Sequence, residues 1–462
     1  MNSLPRYQLI ADALRLSIEA GTLPAGAKMP SVRVLCNEHG VSIPTALQAL
    51  RLLEQEQLVE ARPQSGFYVA RRHTATAPEP ILIEVAPLDD QAETHLSIVG
   101  TPCRIRLDLA NGETSLYPVT RLCLLMRQLI YRDPALLGNH VRGTGYPPLK
   151  QQIVRRAFDY GCELNPREIV ITSGCIESMM LALRAVTQPG DGVAVESPTY
   201  FVILRMLSSL GLRAVEIPST ERGMDLGQLE VALKARLVRA VICIANMNNP
   251  TGVTISMEDK STLVGLMERY NTILIEDDIY GDTHFDNSRP KPLRALSDKV
   301  ILCSSFSKTL APGIRVGWVA GGHWSSTIAS LKYSSTMGTG VYPQAAIAEF
   351  LRTGGYDVHL RKLRRTLQKQ MAHMREAIIR YFPSETCVSD PSGGYVLWVK
   401  LPDGSLSTRK LFEQARREGI GIAPGHLFAT DERFDNCFRL NAGFGWDRDV
   451  EQAIEMLARM IG

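Results

Sequence analysis

Apolar and polar residues alternate along the start of the chain with the period of an α-helix. The apolar positions of the first predicted helix are Leu9, Ala13, Leu16 and Ala20. They recur every three or four residues and therefore share one helix face. Gly21 follows the last of them, and glycine is common just beyond a helix C-terminus. The pattern predicts a first helix that ends near residue 20.

Two further helices are predicted before residue 60. Ser31 can cap a helix that ends at Gly40, and Ser42 can cap the next one, with Pro44 tolerated in its first turn. The predicted buried stripe of that third helix is Ala46, Leu47, Leu50 and Leu53. Its spacing is again helical, so we expect this helix to pack one face against its neighbours.

A hairpin follows the third helix. Residues 58–61 and 67–70 form two short, largely apolar segments, and the turn-forming residues 62–66 lie between them. Three helices and a hairpin in this order are typical of a winged helix-turn-helix domain. We place that domain at residues 1–72. The alternative to a DNA-binding role is a small helical docking module.

The central part of the chain contains several short apolar runs. Residues 169–172, 192–196, 240–244 and 272–275 are runs of four or five mostly apolar residues. Such runs are typical of parallel strands that are buried on both faces of a sheet. This part of the chain is therefore predicted to have an α/β fold.

Length and composition restrict the class of protein. At 462 residues the chain is long enough for two or three domains, and its net charge of +3 is near neutral. No apolar run is long enough to cross a bilayer, and no charged and apolar leader precedes Leu4. Nine cysteines lie scattered without a Cys-x-x-Cys pair, which favours a reducing cytoplasm and argues against a metal site.

Lys308 lies in the segment with the most specific chemistry. Ser305 and Ser307 precede it closely, and Arg315 follows seven residues later. Lysine forms a Schiff base with pyridoxal phosphate, and hydroxyls together with a guanidinium suit the phosphate of that cofactor. A Ser-x-Lys sequence alone is weak evidence, because a solvated loop lysine needs no explanation. The interpretation of this segment as a cofactor site therefore depends on the motifs that accompany it.

Polar residues follow two of the predicted strands. Asn249 comes after residues 240–244, and Asp277 and Tyr280 come after residues 272–275. Ligands of open α/β sheets bind at the carboxyl ends of the strands, so these side chains are expected in one pocket. Singly, each has an ordinary alternative, because Asn-Pro is a turn signal and acids after a strand are often solvated.

Two earlier segments are predicted to complete this pocket. Gly174, Cys175 and Ile176 follow residues 169–172 as a tight turn into a helix, whose first backbone amides would face a phosphate. Tyr200 follows the next predicted strand, where its side chain would contact the ring of the cofactor. The alternative is a tyrosine that packs in the protein core.

In this order the segments resemble the fold-type I pyridoxal-phosphate aminotransferases, from about residue 105 to the end. The resemblance implies that Lys308 anchors the cofactor, that Asp277 pairs with its ring nitrogen and that Tyr200 stacks on the ring. These three are the expected catalytic residues. Asn249 and Tyr280 are expected to bind the phenolic oxygen of the ring.

The same resemblance assigns a substrate contact, and this chain departs from the family's usual residues at two places. Arg439 matches the arginine that grips a substrate carboxylate, for which a bidentate guanidinium is suited. The family usually carries a polar residue where this chain has Cys175 or Ile176. It often carries a tyrosine that reaches the partner subunit's phosphate where this chain has His140. The departures remove side-chain donors but leave backbone amides in place.

The first seventy residues resemble the GntR family of bacterial repressors, through residues 23–26, 30–33 and 62–69. The DNA contacts expected from the resemblance are Arg33, Ser42, Thr45, Gln48, Arg51, Arg62 and Gly66. Arginines are common in the family where this chain has Ile43 and Pro44, and again at Gln48. Gln48 can still read a base edge. We therefore expect few phosphate contacts per subunit and greater dependence on dimerisation.

A GntR-type head on an aminotransferase-like body resembles the MocR family of regulators over nearly the full chain. The expected fold class is α/β: a winged helix-turn-helix domain plus a fold-type I transferase body, with a large mixed, mostly parallel sheet domain and a smaller α+β domain. The expected boundaries are 1–72 for the head, 73–104 for a linker and 105–462 for the body. Members of the family are homodimers whose heads reach across the partner's body, which a linker of this length allows.

The function expected from these features is a cytoplasmic, homodimeric transcription regulator. It would bind promoter DNA and pyridoxal 5'-phosphate, and would sense the cofactor or an amine or amino acid through it. The alternative is a catalytically active aminotransferase that acts on an amino acid. A third hypothesis, a DNA-binding module with a decayed body, is opposed by the intact pocket. A metabolic enzyme would have no use for Arg33 and a wing.

Overall fold

A computed structural model describes residues 6–19, 22–23, 27–55, 58–62, 66–69, 82–84, 103–138, 143–402, 404 and 406–461. The chain forms two compact units, Met1–Pro78 and Glu79–Gly462, which are called the head and the body below. No helix among the described residues is long and apolar enough to cross a membrane.

The described part of the head contains three helices and a two-stranded antiparallel hairpin. The elements are α1 (Arg6–Glu19), α2 (Val32–His39), α3 (Ile43–Gln55), β1 (Val59–Arg62) and β2 (Gly66–Val69). The Ser31 hydroxyl caps α2 by accepting a hydrogen bond from the Val34 amide at 3.3 Å. Gly40 ends α2 in the left-handed region, at φ 60°. The predicted caps of α2 are confirmed, whereas turn residues 24–26 and 63–65 lie outside the described residues.

Helix α3 supplies the centre of the head's core. Ala46, Leu50 and Leu53 are fully buried, and Leu47 is half-buried. These are the residues of the predicted stripe. They pack with buried residues of α1, α2 and the hairpin, which include Leu35 and Val59. The winged helix-turn-helix is therefore held by one small core.

Helix α1 buries a different face from the one that its leucines mark. Leu9 is 52% exposed and Leu16 is 66% exposed, whereas Ile10, Ala11 and Leu14 are buried. Successive residues of a helix point about 100° apart, so the buried face is displaced by roughly one residue from the Leu9–Leu16 line. The repeat identified the helix but not the face that packs.

The body is built on one large sheet, in which the described residues contribute nine strands. Its order is β3 (Leu82–Glu84), β7 (Arg213–Thr220), β6 (Gly192–Ser197), β9 (Ala240–Cys243), β10 (Ile273–Asp277), β11 (Ile301–Ser305), β12 (Gly317–Ala320) and β5 (Ile169–Thr172), with β8 (Gly223–Met224) paired to β7. The central pairs β7–β6, β6–β9, β9–β10 and β10–β11 are parallel, and the outer pairs are antiparallel. This is the large mixed, mostly parallel sheet that was expected.

The segment expected to be a linker, residues 73–104, is described at 82–84 and 103–104. Residues 82–84 form β3, which pairs antiparallel with β7 at one edge of the large sheet. This part of the segment therefore docks on the body, as its apolar sequence favours. The rest of the segment before residue 103 lies outside the described residues.

Helices cover both faces of the large sheet. They are α4 (Val119–Arg132), α5 (Ala135–Gly138), α6 (Pro147–Asp159), α7 (Cys175–Val186), α8 (Phe201–Ser209), α9 (Leu226–Lys234), α10 (Met257–Tyr270), α11 (Ser325–Thr336), α12 (Val341–Arg352) and α13 (Gly355–Tyr381). Along β5, Ile169 and Ile171 pack into one apolar cluster and Val170 into another. Alternate residues of a strand point to opposite faces, so the strand is apolar throughout.

A smaller α+β domain completes the body. Its elements are β4 (Ile105–Arg106), β13 (Cys387–Val388), β14 (Val396–Lys400), α14 (Thr408–Arg417), β15 (Ile420–Gly421), β16 (Ala423–Pro424), β17 (Cys437–Asn441) and α15 (Arg448–Ile461). Strands β13, β14, β17 and β16 form an antiparallel sheet, and β15 pairs parallel with β4. Helix α13 joins the two domains, because it buries Leu363 in the large-domain core and Met374 in the small-domain core.

Replacing Leu50 by alanine should selectively destabilise the head. Leu50 is fully buried in a core of few residues, so the cavity should cost about 2–5 kcal/mol of the head's free energy of unfolding. Leu16→Ala, on the exposed face of α1, should cost less than about 0.5 kcal/mol. Calorimetry of the full chain should show a lower melting temperature for the head alone. Equal losses in the two variants would contradict the assigned core.

Candidate functional site

The carboxyl ends of the central strands enclose a cavity of about 130 Å³. Its lining residues are Cys175, Ile176, Tyr200, Ile244, Asn249, Asp277, Ile279, Tyr280, Ser307, Lys308 and Arg315. They follow β5, β6, β9, β10 and β11, which are neighbours in the sheet or separated only by β12. The fold thus brings together nine of the eleven residues predicted to bind a cofactor; Gly174 and Ser305 lie beside the cavity.

Lys308 carries its amine into this cavity. The amine donates a hydrogen bond to the backbone carbonyl of Ala110 at 2.7 Å, and the Tyr395 hydroxyl donates to the backbone carbonyl of Lys308. Burial, together with the charge of Arg439, lowers the pKa of Lys308 to about 8, and the charge of Asp277 opposes the change. Roughly one tenth of the amine is therefore uncharged at pH 7, far more than for a solvated lysine.

Asp277 presents the cavity's carboxylate. Its Oδ1 accepts hydrogen bonds from the Cys175 thiol and from the Ile279 amide, both at 3.1 Å. Burial raises the pKa of Asp277 to about 6, although both hydrogen bonds favour the ionised form. The carboxylate is therefore mostly ionised at pH 7. Cys175, which departs from the family's usual polar residue, acts here as a donor to this carboxylate.

Arg315, Ser307 and the start of α7 form a cradle for an anion. Arg315 Nη1 donates to the Ser307 hydroxyl at 3.4 Å. Gly174 has a φ of 132°, and a Cβ there would lie 2.5 Å from Arg315 Nη2. Only glycine therefore allows the guanidinium to approach this turn. Cys175 and Ile176, the first residues of a 12-residue helix, line the same space, so the positive end of α7 borders it.

Ser305 lies behind this cradle rather than in it. Its hydroxyl donates to the Val316 carbonyl at 3.0 Å and accepts a hydrogen bond from the Ser307 amide at 3.1 Å. The direct contact of Ser305 with a ligand stays a prediction. In this arrangement the Ser305 hydroxyl holds the backbone of Ser307 in place.

Arg439 adds a buried cation next to the cavity. Its Nη1 donates to the Asn249 Oδ1 at 2.8 Å, and its Nη2 donates to the backbone carbonyl of Asp108. Its Nε is buried and finds no hydrogen-bond partner among the described residues. Burial lowers the pKa of Arg439, yet a guanidinium stays charged in proteins. A buried guanidinium with an unused donor suits a carboxylate ligand.

A network of ion pairs lies next to the carboxyl end of β10. Arg289 bonds both Asp278, the neighbour of Asp277, and Asp282, and Arg156 bonds Asp282 at 3.1 Å. Burial alone would raise the pKa of Asp282, but the charges of Arg156 and Arg289 hold it well below its usual range. Arg156 also bonds Asp357 at 2.7 Å, so each of the two arginines binds two carboxylates in this layer.

Sequence reasoning missed the backbone and second-layer contacts of the site. The carbonyls of Asp108 and Ala110 accept from Arg439 and Lys308, and no side-chain pattern marks a backbone carbonyl. The hydroxyl of Tyr395, which donates to the backbone carbonyl of Lys308, was missed as well. His140, expected near a partner subunit, lies outside the described residues.

The residues predicted to contact DNA lie on α2, α3 and the hairpin. Arg33, Gln48 and Arg51 are exposed. Thr45 is half-buried, and its hydroxyl lies 2.9 Å from that of Ser42. The structure places Arg62 at the end of β1 without describing its side chain, and Gly66 opens β2 at φ 103°. Positions 45, 48 and 51 are three apart and so lie near one another on α3.

Two family models match the chain. Residues 105–457 match the aminotransferase class I and II family, and residues 6–69 match the gntR family of bacterial regulatory proteins. The HTH-type transcriptional regulator YdcR of Escherichia coli is 36% identical over 99% of both chains, and YjiR of the same organism is 34% identical over 99% of both. The HTH-type transcriptional regulator NorG of Staphylococcus aureus is 26% identical over 92% of this chain and 98% of its own.

Solved aminotransferases share the fold of the body. The kynurenine aminotransferase of Pyrococcus horikoshii superposes with a TM-score of 0.75 at 26% identity, covering 81% of this chain and 94% of its own. The multiple substrate aminotransferase of Thermococcus profundus gives 0.75 at 25% identity, covering 80% and 94%. Fold-type I aminotransferases use pyridoxal phosphate, and the donor set here fits that group: an amine, a carboxylate, an aromatic ring and an anion cradle.

The pH dependence of adduct formation at Lys308 should depend on the charged groups around its amine. Wild-type protein at saturating pyridoxal phosphate should give a borohydride-trapped lysine adduct whose rate of formation rises with pH and levels off above about 8. Asp277→Asn should move this profile to lower pH, because it removes the charge that favours the protonated amine. Arg439→Met should move it to higher pH. Mass mapping should find no adduct at this position in Lys308→Ala, and adduct on another lysine would show that the anchor is misassigned.

Proposed function

We propose that this chain, which belongs to the MocR type of regulators with a gntR-family head and an aminotransferase class I and II body, is a transcription regulator that binds pyridoxal phosphate and responds to an amino acid or amine through it. The charge content of the cavity carries this proposal. Lys308 and Arg315 line the cavity with one carboxylate, Asp277, and Arg439 adds a third cation beside it, near Asp108, which is already paired with Arg106. Buried charges are stable when they are paired, so such a site favours an anionic ligand.

Each residue of the cavity has a distinct part in holding the cofactor. Lys308 is the anchor, and its lowered pKa keeps part of the amine uncharged and nucleophilic. Asp277 is the partner of a protonated ring nitrogen, and Tyr200 is the stacking ring. Arg315 and Ser307 take the phosphate together with the amides that open α7. When bound, pyridoxal phosphate supplies an electron sink for chemistry at an amine.

Asn249 and Tyr280 orient the phenolic oxygen of the ring. Tyr280 is buried and lines the cavity with Asn249, which accepts from Arg439 at 2.8 Å. A ligand that occupies Arg439 is thereby linked through Asn249 to the cofactor position. This chain of contacts supports a site that distinguishes carboxylate-bearing amines from simple amines.

The head is proposed to bind a promoter operator as part of a homodimer. Helix α3 carries Thr45 and Gln48 for base edges, and Arg33 and Arg51 are exposed cations for phosphates. On the body, Leu124, Ile130 and Tyr131 of α4 are exposed by 44%, 43% and 78%, with the exposed Arg127 among them. Exposed apolar residues of this size support burial in a subunit interface.

Catalytic transamination is the second candidate function. It is favoured by the complete set of Lys308, Asp277 and Arg439 and by a lysine with a pKa of about 8. A regulator and an enzyme of this type bind the same ligands, so turnover separates them. The head favours the regulator, because amino-acid metabolism gives no role to its exposed Arg33 and Gln48.

Amino acids should bind without rapid turnover. Addition of an α-amino acid to the protein loaded with pyridoxal phosphate should shift its visible absorbance. Arg439→Met should weaken this response at least tenfold but leave the response to an amine without a carboxylate unchanged, since the lost contact is with the carboxylate. Single-turnover and steady-state assays should both be slow. Steady-state transamination near 10 per second, which is ordinary for an enzyme, would favour the second candidate.

Two head substitutions should separate affinity from sequence preference. Arg33→Ala should weaken binding to all duplexes alike and lower the salt dependence, because it removes a phosphate contact. Gln48→Ala should relax discrimination at one base position by about 1–3 kcal/mol. Fluorescence anisotropy of the full chain on duplexes from its own upstream region measures both effects. Failure of the wild-type chain to bind any such duplex would rule out the regulator.

A further inference from the structure

The body carries a line of exposed cations on its longest helix. Helix α13 spans 27 residues, and its buried face holds the apolar residues that join the two domains of the body. Its opposite face exposes Arg361, Lys362, Arg365 and Lys369. These four residues are called the basic stripe. No acidic residue interrupts α13 between Asp357 and Glu376.

Helical geometry places the members of the basic stripe side by side. Arg361, Arg365 and Lys369 are four residues apart, so they follow one face of the helix, and Lys362 lies three residues before Arg365. The stripe extends about 12 Å along the axis at 1.5 Å per residue. It therefore presents four positive charges across little more than two turns.

The cations of the basic stripe lack carboxylate partners among the described residues. The ion pairs of α13 lie elsewhere on the helix: Asp357 is bound by Arg156, Arg375 lies 3.7 Å from Asp390, and Arg380 lies 3.6 Å from Glu451. Asp357 lies four residues before Arg361 but is bound by Arg156, and the other helix neighbours of the basic stripe three or four residues away carry no negative charge.

Three other exposed helices of the body pair a cation with a carboxylate on the same helix. Arg352 bonds Glu349 at 2.7 Å on α12, Arg459 bonds Glu455 at 2.6 Å on α15, and Lys234 lies 3.4 Å from Glu230 on α9. Like charges three or four residues apart destabilise a helix, so an unpaired stripe of four weakens α13 unless a polyanion offsets the repulsion. An ordinary solvated helix face would show interspersed acids, as these helices do.

We propose that the basic stripe binds the phosphate backbone of the same DNA that the head reads. The proposal rests on the DNA-binding function argued above. Helix α3 carries one cation, Arg51, and also one carboxylate, Glu54, so the reading helix contributes little net charge. DNA affinity depends chiefly on phosphate neutralisation by lysine and arginine. The basic stripe supplies the cations that the reading helix lacks.

The test compares two triple variants of the full-length chain. R361Q/R365Q/K369Q removes three charges from the basic stripe. R167Q/K410Q/R417Q removes the same charge from exposed body positions away from it and serves as the matched control. Affinity is measured by anisotropy over a range of salt concentrations. One duplex is the shortest fragment of the upstream region that the wild-type chain retains, and the other extends it by about two helical turns at each end.

The stripe variant should lose affinity for the extended duplex. The slope of log affinity against log salt should become shallower by about 2–3 for each subunit whose stripe contacts the DNA, at about 0.9 for each lost phosphate contact. The control variant should keep the wild-type slope, and the stripe variant should melt no lower than wild type because its substitutions relieve repulsion on an exposed face. Affinity for the short duplex should change less than tenfold in both variants.

Three results would overturn the proposal. Equal losses in the stripe and control variants would mean that total charge alone matters. An unchanged slope in the stripe variant, with wild-type binding intact, would show that DNA does not touch α13. Stripe-dependent retention on anionic phospholipid vesicles, with no change on DNA, would assign the surface to a membrane. If the wild-type chain itself binds neither duplex, the proposed regulator function fails, and the stripe proposal fails with it.

Discussion

An excess of buried positive charge is the constraint on which the rest of this protein depends. Lys308 and Arg315 line one cavity with the carboxylate of Asp277, and Arg439 lies beside it, whereas in the layer beneath Arg156 and Arg289 each bind two carboxylates. The lower layer is electrostatically complete, and the upper one is not. A phosphate at the Arg315 cradle and a carboxylate at Arg439 would together complete it. The fold sustains this imbalance because it fixes the groups from separate elements: Asp277 ends β10, Lys308 and Arg315 lie between β11 and β12, and Arg439 lies in β17 of the small domain.

The motif residues of the site followed from the sequence because each lies at the end of an apolar run. Asn249, Asp277 and Lys308 converge since β9, β10 and β11 are adjacent and parallel. The direction in which each of these side chains points did not follow from the sequence. Ser305 turns its hydroxyl to the Val316 carbonyl, and whether a serine faces the cavity or the backbone depends on tertiary contacts that no local pattern records. The Cys175 thiol meets Asp277, 102 residues away in sequence, for the same reason.

The head illustrates the same limit in its packing. The helical repeat of Leu9 and Leu16 located α1, but the residues that pack are Ile10, Ala11 and Leu14. Periodicity fixes an element, whereas the partner helices decide which face is buried. The caps of α2 were predictable because Ser31 and Gly40 act on their own backbone neighbourhood. The helices and hairpin of the head, which the gntR family model matches, were also predictable from such local signals. The proposed link between head and body rests on their proposed function.

That link is tested most directly by thermodynamic reciprocity in the full-length chain. Affinity for upstream DNA should be measured with and without an amino-acid ligand, and ligand affinity should be measured by absorbance with and without DNA, always with pyridoxal phosphate present. If the cavity governs the head, each ligand should change the affinity for the other by the same factor, about 5–150-fold. Lys308→Ala should reduce that factor. Two ligands that bind tightly but leave each other's affinity unchanged would contradict a regulator that senses through this cavity.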